Sequence, residues 1–255
     1  MSEASERSGT IQSVERAARL LALFTSQRPQ LSLAEMCEGF GFGKTTTHRY
    51  AMSLRRAELL KYDASTNLYS VGPRAISLAG AAVAGVPMLS AAAVYMRRLS
   101  EAVEETVALS VWDGEAPVVV HVASPASRTI HAAVRVGVRL AEGMAQYKVF
   151  HAFGPDDLRI KDSAATRAEL EKVRDTEMAF ATGQGWRAAA CPVFDGRGLA
   201  ACLAIIGVAD RISDDPESQA CMALRTAARE LSEEITLGLG LQTLGVVSSA
   251  SPTTG

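Results

Sequence analysis

One short segment carries the residue types best suited to chemistry with a polyanion: Lys44, Thr45, Thr46, Thr47, His48 and Arg49. It follows glycines and precedes apolar residues at helical spacing, so we predict that it opens a helix. The first N–H groups of a helix, together with lysine and threonine side chains, bind phosphate oxygens. Arg49 could also contact guanine through two hydrogen bonds. The alternative is an ordinary hydrated helix start.

The elements around this segment predict a helix–turn–helix. Apolar residues at three- and four-residue steps predict a helix over residues 11–24, with one apolar face. Ser32 and Glu35 have the spacing of a capping box that starts a second helix, and the glycines at 39, 41 and 43 predict a turn after it. A third helix is predicted over residues 44–58. Its polar start and apolar later face suit a recognition helix in the DNA major groove.

A hairpin is predicted directly after the third helix, from alternating runs at Leu60–Asp63 and Leu68–Val71. Such a hairpin can act as a wing against the sugar–phosphate backbone, with Lys61, Asn67 and Tyr69 at its base and tip. For Tyr69 a place in the core is an equal alternative. Arg55 and Arg56 are interpreted as a hydrated helix face, with phosphate contact as the alternative.

Composition restricts the class of protein. The chain has 255 residues, of which 48% are hydrophobic and 21% charged, as in a soluble globular protein. No apolar run has the length of a membrane helix, and the polar start resembles neither a signal nor a transit peptide. The four cysteines form no CxxC pair, so we expect reduced, buried thiols in a cytoplasmic protein.

The charge is distributed unevenly. Residues 1–85 contain ten Lys and Arg against seven Asp and Glu, whereas residues 86–255 contain 16 against 21. A basic head on an acidic body suits a protein that binds DNA through its N-terminal part. The excess is small and adds only modest support.

The remainder of the chain predicts a linker and an antiparallel α+β domain. Residues 73–87 form the linker, residues 88–247 form the domain, and the Ser/Thr-rich end at 248–255 is predicted to be disordered. Helices are predicted over 88–105, 142–153, 163–174 and 216–240. Predicted strands cover Val107–Trp112, Pro117–Val122, Thr129–Val136, Trp186–Phe194 and Leu199–Val208.

The sequence gives little support for a catalytic site or a metal site. The histidines at 48, 121, 131 and 151 are scattered, without the spacing of metal ligands. The sequence contains no GxSxG, P-loop or dinucleotide fingerprint. We therefore predict no metal, no cofactor and no catalytic residue. The rival hypothesis of an enzyme would have to use His131, His151 or Cys191.

The whole pattern resembles the IclR family of bacterial transcription regulators. The matching segments are SVERAARLL (13–21), LSLAEM (31–36), KTTTHR (44–49), LYSVGPR (68–74), VRVGVRL (134–140), CPVFDGRG (191–198) and RISDD (211–215). Their order and spacing match from about Ile11 to Gly240. The resemblance implies a winged helix–turn–helix over residues 1–72, a linker helix, and a GAF-like domain that binds an effector.

The resemblance also places an effector pocket in the C-terminal domain. By position its lining would be Leu109, Val111, Gly143, Met144, Tyr147, Cys191, Pro192, Ala204 and Ile206. For the apolar members, ordinary core packing is the favoured alternative. Tyr147 stands where the family has a glycine, and Ala204 to Ile206 offer no hydroxyls. These departures favour an aromatic or other hydrophobic effector over a small oxo-acid.

These features predict a DNA-binding regulator, interpreted as a repressor, that acts on a double-stranded operator under control of a small molecule. The alternative is a regulator whose pocket has degenerated and that binds DNA without a ligand. Because one recognition helix reads half a site, we expect a homodimer, and the resemblance also allows a dimer of dimers. The first helix and the Ala-rich linker (Ala75, Ala79, Ala82, Val83) are the candidate dimer surfaces.

Overall fold

The computed structural model describes residues 11–84, 87–128, 132–155 and 164–243. The chain divides between residues 85 and 86 into two compact units, which are described separately. The predicted tail at 248–255 lies outside the described residues. Among the helices in the described part of the chain, none combines the length and apolar character needed to cross a membrane.

The N-terminal unit is a small α/β arrangement with a three-stranded antiparallel sheet of order β1-β3-β2. The hairpin strands and the helix after them have the predicted bounds. The short strand β1 was not predicted. The elements are α1 (Gln12–Leu21), β1 (Gln30–Ser32), α2 (Leu33–Phe40), α3 (Lys44–Arg56), β2 (Leu60–Asp63), β3 (Leu68–Val71) and α4 (Pro73–Ala84).

Local sequence signals fix the ends of α2. The predicted capping box is present, since the Ser32 hydroxyl accepts a hydrogen bond from the Glu35 N–H while the Glu35 carboxylate accepts one from the Ser32 N–H. Gly41 ends the helix in the left-handed region, with φ of 71°. Gly39 lies inside α2 and not in the predicted turn, and the Leu23 side chain packs where a Cβ atom of residue 39 would be.

A compact apolar core holds the helix–turn–helix together. It is formed by buried residues of every helix up to α3 and of all three strands: Leu20, Leu31, Met36, Phe40, Ala51, Leu54, Leu60 and Tyr69. The strands and helices therefore share one core, which holds α3 at a fixed orientation to the hairpin.

The C-terminal unit contains a five-stranded antiparallel sheet of order β5-β4-β8-β7-β6. This arrangement confirms the predicted α+β class, although β6 was not predicted as a strand. The elements are α5 (Pro87–Val103), β4 (Thr106–Trp112), β5 (Pro117–Ala123), α6 (Ala145–Phe153), α7 (Ala164–Thr176), β6 (Ala179–Gly183), β7 (Trp186–Asp195), β8 (Gly198–Val208) and α8 (Gln219–Thr243).

Helices cover both faces of this sheet. On one face, α5 and α8 pack on the odd-numbered residues of the central strands, such as Leu109, Cys191 and Leu203. On the other face, α6 and α7 pack on even-numbered residues such as Ala190 and Ala204. Because successive strand residues point to opposite faces, a one-residue difference decides which layer a side chain enters.

The prediction of a strand over Thr129–Val136 is wrong for the residues that the structure describes. Thr129 to His131 lie outside the described residues, and residues 132–136 form no strand. The pairing edge of β5 is taken instead by residues just beyond: Gly137 donates to the Val119 carbonyl, and Leu140 donates to the Pro117 carbonyl. We call residues 132–140 the strap, since this segment runs beside the sheet.

Candidate nucleic-acid interface and ligand cavity

Most of the polar residues that were predicted to bind DNA lie on the exposed face of α3. Lys44, Thr45, His48 and Arg49 are exposed, and Thr46 is half-buried. Thr45, His48, Arg49 and Met52 share one face by their three- and four-residue spacing. The sequence reasoning missed Met52, an exposed apolar residue that helical spacing from Arg49 would have revealed.

The start of α3 is suited to an anion. No side chain caps the helix, whose N-cap is Gly43. The N–H groups of its first turn are therefore available to a phosphate, and the helix dipole favours negative charge there. The helix contains no Asp or Glu, while it carries Lys44, Arg49, Arg55 and Arg56.

Thr47 differs from its two threonine neighbours. Its side chain is fully buried, and the hydroxyl donates to the carbonyls of Phe42 and Gly43. Burial removes this hydroxyl from the surface, so the structure corrects its interpretation as a phosphate ligand. The hydroxyl instead satisfies carbonyls of the turn before α3.

The hairpin places its three predicted residues in different environments. Lys61 is exposed on β2. Asn67 is exposed at the turn with φ of 58°, and its side-chain oxygen accepts a 2.7 Å hydrogen bond from the Tyr62 hydroxyl. Tyr69 is buried in the core, where burial raises its pKa. Of the two alternatives for Tyr69, the structure therefore favours the core.

A groove of about 750 Å³ joins α2, α3 and the hairpin within the N-terminal unit. Lys44, His48 and Arg55 reach this groove from α3, and Asn67 reaches it from the hairpin turn. The Arg55 guanidinium carbon lies 5.0 Å from the centre of the Tyr62 ring, so a cation–π contact holds it beside the wing. Arg55 was interpreted as a hydrated helix face, and its place in this groove favours a phosphate contact.

The predicted pocket residues of the C-terminal unit do not form one site. Leu109 and Cys191 belong to the core between the sheet and helices α5 and α8, and Val111 packs against that core. Ala204 lies on the opposite face, within the core beneath α6 and α7. The sequence-based list joined residues from both faces, and the alternation of strand side chains separates them.

A cavity of about 370 Å³ lies on the α6 face of the sheet. Two of the predicted residues, Met144 and Ile206, line it. The residues that sequence reasoning missed come from the strap, α6 and β7: Ala132, Ala133, Val134, Leu140, Gln146, Trp186 and Ala188. Ala188 pairs with Ile206 across β7 and β8, and one step of two along β7 from Ala188 reaches Trp186, so the register of the hairpin would have identified both residues.

The strap is held against the sheet by backbone and charged contacts. The Thr106 hydroxyl donates to the Ala132 carbonyl at 2.7 Å. Arg139 pairs with Asp113 at 2.6 Å and with Glu115 at 2.9 Å. Partial burial tends to raise the pKa of Asp113, but hydrogen bonds from the Ala116 and Glu115 N–H groups, followed by the Arg139 guanidinium, lower it overall. The contacts fix one wall of the cavity.

The remaining predicted residues, Gly143, Tyr147 and Pro192, are not among the residues that line the cavity. Tyr147 stacks on His151 with ring centres 4.5 Å apart and also approaches Trp112. Gly143 is exposed before α6, and Pro192 is buried in β7. Tyr147 therefore takes part in an aromatic cluster, although its position was predicted to line the pocket.

Of the residues that the rival enzyme hypothesis would use, Cys191 is a buried thiol. Burial raises the pKa of the Cys191 thiol far above its usual range, which keeps it protonated and unreactive. His131 lies outside the described residues. Among the described residues, no group of three or more His, Cys, Asp or Glu side chains could hold a metal ion.

An exposed cationic helix on a winged helix–turn–helix, joined to a unit with an apolar cavity, defines a transcription regulator with a separate ligand-binding domain. Two family models match this chain: the IclR helix–turn–helix domain over residues 13–64, and the bacterial transcriptional regulator IclR C-terminal domain over residues 80–233. The chain belongs to the IclR family of transcription regulators. Proteins of this family regulate transcription and are not enzymes.

Individual relatives agree with this assignment. The HTH-type transcriptional regulator BhcR of Paracoccus denitrificans is 29% identical over 248 residues, covering 89% of this chain and 88% of its own. The crystal structure of an IclR transcriptional regulator from Silicibacter sp. is 27% identical, with a TM-score of 0.80 over 88% of this chain and 96% of that one.

A third relative has a bound ligand. The structure of an IclR homologue from Microbacterium hydrocarbonoxydans, complexed with 4-hydroxybenzoate, shares the fold with a TM-score of 0.70. It covers 88% of this chain and 98% of its own, at 16% identity. Effector binding is typical of the family.

Proposed function

We propose that this chain is a cytoplasmic repressor that binds an operator through α3 and the hairpin, and that a small molecule in the 370 Å³ cavity controls this binding. The exposed face formed by Thr45, His48, Arg49 and Met52 carries the proposal most directly. Arg49 would pair with guanine, while Met52 would contact a thymine methyl group. Lys44, Arg55 and Lys61 would contact phosphates.

The proposed effector is aromatic or otherwise hydrophobic. The cavity is lined mainly by alanine, leucine, isoleucine, methionine and tryptophan side chains. Its volume falls within the range usual for small-molecule sites. The proposal is supported by the Microbacterium homologue, which shares the fold and is complexed with the aromatic compound 4-hydroxybenzoate.

A second copy of the chain is the proposed partner for the exposed apolar residues of α1 and α4. In the single chain, Val14 is 63% exposed, Ile76 is 76% exposed and Leu78 is 57% exposed. Ala79 and Ala82 are also exposed, so α4 offers an apolar surface that association would bury. A two-fold dimer would present two α3 helices to a palindromic operator. The family resemblance also allows a dimer of dimers.

The ligand would control operator binding by shifting the populations of two arrangements of the dimer. If the ligand binds one arrangement of the paired heads better than another, it changes operator affinity by the ratio of its two affinities. Coupling between two such sites commonly amounts to about 5- to 150-fold.

The test of DNA recognition is a gel shift with DNA from upstream of the chain's own gene. Replacing Thr46 and Arg49 with alanine should abolish the sequence-specific shift, because both act at the start of the reading helix. Arg197→Ala, at an exposed turn of the C-terminal unit, is the matched control and should leave the shift intact. Unchanged binding by the Thr46/Arg49 variant would overturn the assignment of α3.

A further inference from the structure

We propose that the ligand of the cavity is an electrically neutral molecule with a hydrogen-bonding group for Gln146, and not a carboxylate. This inference rests on the proposed function, since it names the chemical class of the effector. Two observations support it. The polar side chains in the described walls are uncharged, and the charged side chains nearby are exposed or pair with groups outside the cavity.

The described walls of the cavity carry no charged side chain. Apart from apolar groups they contribute the carboxamide of Gln146 and the indole of Trp186, both uncharged. Moving a carboxylate from water into such a site removes its hydration without supplying a counter-charge. A neutral amide, alcohol or ketone loses far less on the same transfer, and its apolar portion gains from burial.

Gln146 is placed to recognise one polar group. Its side chain is 3% exposed, and it lies in the first turn of α6, two residues after Met144 at the cavity wall. A carboxamide both donates and accepts hydrogen bonds, so it can pair with an amide or a hydroxyl. Buried polar groups require such partners, which makes Gln146 the specificity-determining residue of the cavity.

The N–H groups at the start of α6 do not reverse the preference of the cavity for a neutral ligand over a carboxylate. Like any helix, α6 begins with unpaired donors, and no side chain caps it. A neutral oxygen atom can accept from these donors as readily as from Gln146. The attraction of a helix terminus for an anion is smaller than the penalty of desolvating a carboxylate.

The cationic side chains near the cavity are exposed or pair with groups that do not line it. The Lys148 ammonium pairs with Glu169 at 2.7 Å and donates to the Phe180 carbonyl. The Arg187 guanidinium donates to the Ile212 carbonyl and to Thr182. In the strap, Arg139 is held by two carboxylates and Arg135 is exposed.

A buried ion pair lies at the Ile206 end of the sheet. Glu105 is almost fully buried and pairs with Arg211 at 2.7 Å. Its carboxylate lies against Gly207, where a Cβ atom would come within 2.2 Å of the oxygen. Gly207 faces the side of the sheet opposite to Ile206, so the Arg211 cation is already paired with a carboxylate on that other face and supplies no counter-charge to a ligand in the cavity.

The test compares benzamide with benzoate, two planar molecules of the same size that differ in charge. Isothermal titration calorimetry on the full chain at pH 7.5 should show benzamide binding at least about tenfold more tightly, because only benzoate brings a charge into the cavity. Equal or tighter binding of benzoate would overturn the inference. Failure of both molecules to bind at millimolar concentration would overturn it as well.

Two variants assign the preference to Gln146. Gln146→Leu should weaken benzamide binding about tenfold, as expected for a lost buried hydrogen bond. Gln184→Leu, at an exposed turn between β6 and β7, should bind like the original chain. Gln146→Lys introduces a cation and should reverse the preference toward benzoate. If the lysine variant does not fold, the Gln146→Leu and Gln184→Leu pair still decides the role of Gln146.

Failure of this inference can be told apart from failure of the proposed function. Titration measures ligand binding alone, and a gel shift with saturating benzamide measures its effect on DNA. Benzamide selectivity without an operator response would leave the ligand class in place and contradict the regulation. An operator response to benzoate but not to benzamide would contradict the ligand class and leave the regulation in place.

Discussion

The two units of this chain present opposite kinds of surface. In the N-terminal unit the candidate site is exposed and cationic, and most of it lies on the single helix α3. In the C-terminal unit the candidate site is a partly open, apolar cavity, and its wall combines the strap, α6, β7 and β8. One site suits a long polyanion, and the other suits a small uncharged molecule.

This difference separates the physical forces at the two sites. Binding at α3 depends on charge and is therefore sensitive to salt. Binding in the cavity depends on shape and apolar burial, which salt affects little. Substitutions can therefore disable one site while the other still binds, and both tryptophans lie in the C-terminal unit, where their emission reports on that unit alone.

The largest expected effect concerns the stability of the C-terminal unit. Arg211→Ala leaves the buried Glu105 carboxylate without its partner, and we expect this to cost about 3 kcal/mol of unfolding free energy. Urea unfolding followed by tryptophan emission measures the change. Arg197→Ala, an exposed arginine on the same unit, is the control. An Arg211→Ala variant as stable as the original chain would show that the ion pair is unimportant.

The same variant should depend on pH in a defined direction. Burial raises the pKa of Glu105, and Arg211 opposes this shift. Without Arg211 the folded state holds its proton to higher pH than the unfolded state does. The unfolding free energy therefore falls as pH rises above the ordinary glutamate pKa. The deficit relative to the original chain should be larger at pH 7.5 than at pH 5.

Filling the cavity should weaken ligand binding strongly and leave DNA binding unchanged. Ile206→Trp places a large side chain in the 370 Å³ space, and we expect about a 50-fold loss of benzamide affinity by calorimetry. Val94→Trp, on the exposed side of α5, should bind benzamide normally. Operator affinity without ligand should be the same in both variants, and tight benzamide binding by Ile206→Trp would place its site elsewhere.

Two threonines on α3 should separate stability from recognition. Thr47→Val removes a buried hydroxyl that bonds to turn carbonyls, so it should cost about 1 kcal/mol of stability and leave operator affinity unchanged. Thr45→Val alters an exposed hydroxyl and should weaken operator binding without changing stability. Thermal unfolding and fluorescence anisotropy measure the two effects. If Thr47→Val weakened operator binding without changing stability, Thr47 would belong to the DNA-binding surface.

The smallest effect concerns the wing. Lys61→Ala should weaken operator binding modestly and reduce the slope of log affinity against log salt by about one, as for a single phosphate contact. Lys172→Ala, exposed on α7, should leave the slope unchanged. A normal slope for Lys61→Ala would remove the wing lysine from the interface.

The sequence predicted the N-terminal unit closely because its signals are local. The capping box at Ser32, the glycine that ends α2 and the hairpin runs each depend on neighbouring residues. The reading segment at residues 44–49 is continuous on one helix, so its identity needed no knowledge of tertiary contacts. Only burial could show that Thr47 and Tyr69 point into the core.

The cavity was harder to predict because distant segments form it. Leu109 and Cys191 were placed in the pocket, although strand alternation directs them to the other face. The alternating pattern at residues 132–136 predicted a strand, whereas the edge of β5 pairs with residues 137–140. The three residues of β1 and the alanine-rich β6 are too short and too weakly patterned to be recognised without their partner strands.

The central claim is that occupancy of the cavity changes operator binding at α3. Fluorescence anisotropy should give the operator affinity of the full chain with and without saturating benzamide, for the original sequence and for Ile206→Trp. We expect the affinity to change at least about fivefold in the original chain and to stay constant in the variant. Equal operator affinities in the original chain, with calorimetry showing the cavity filled, would contradict the account.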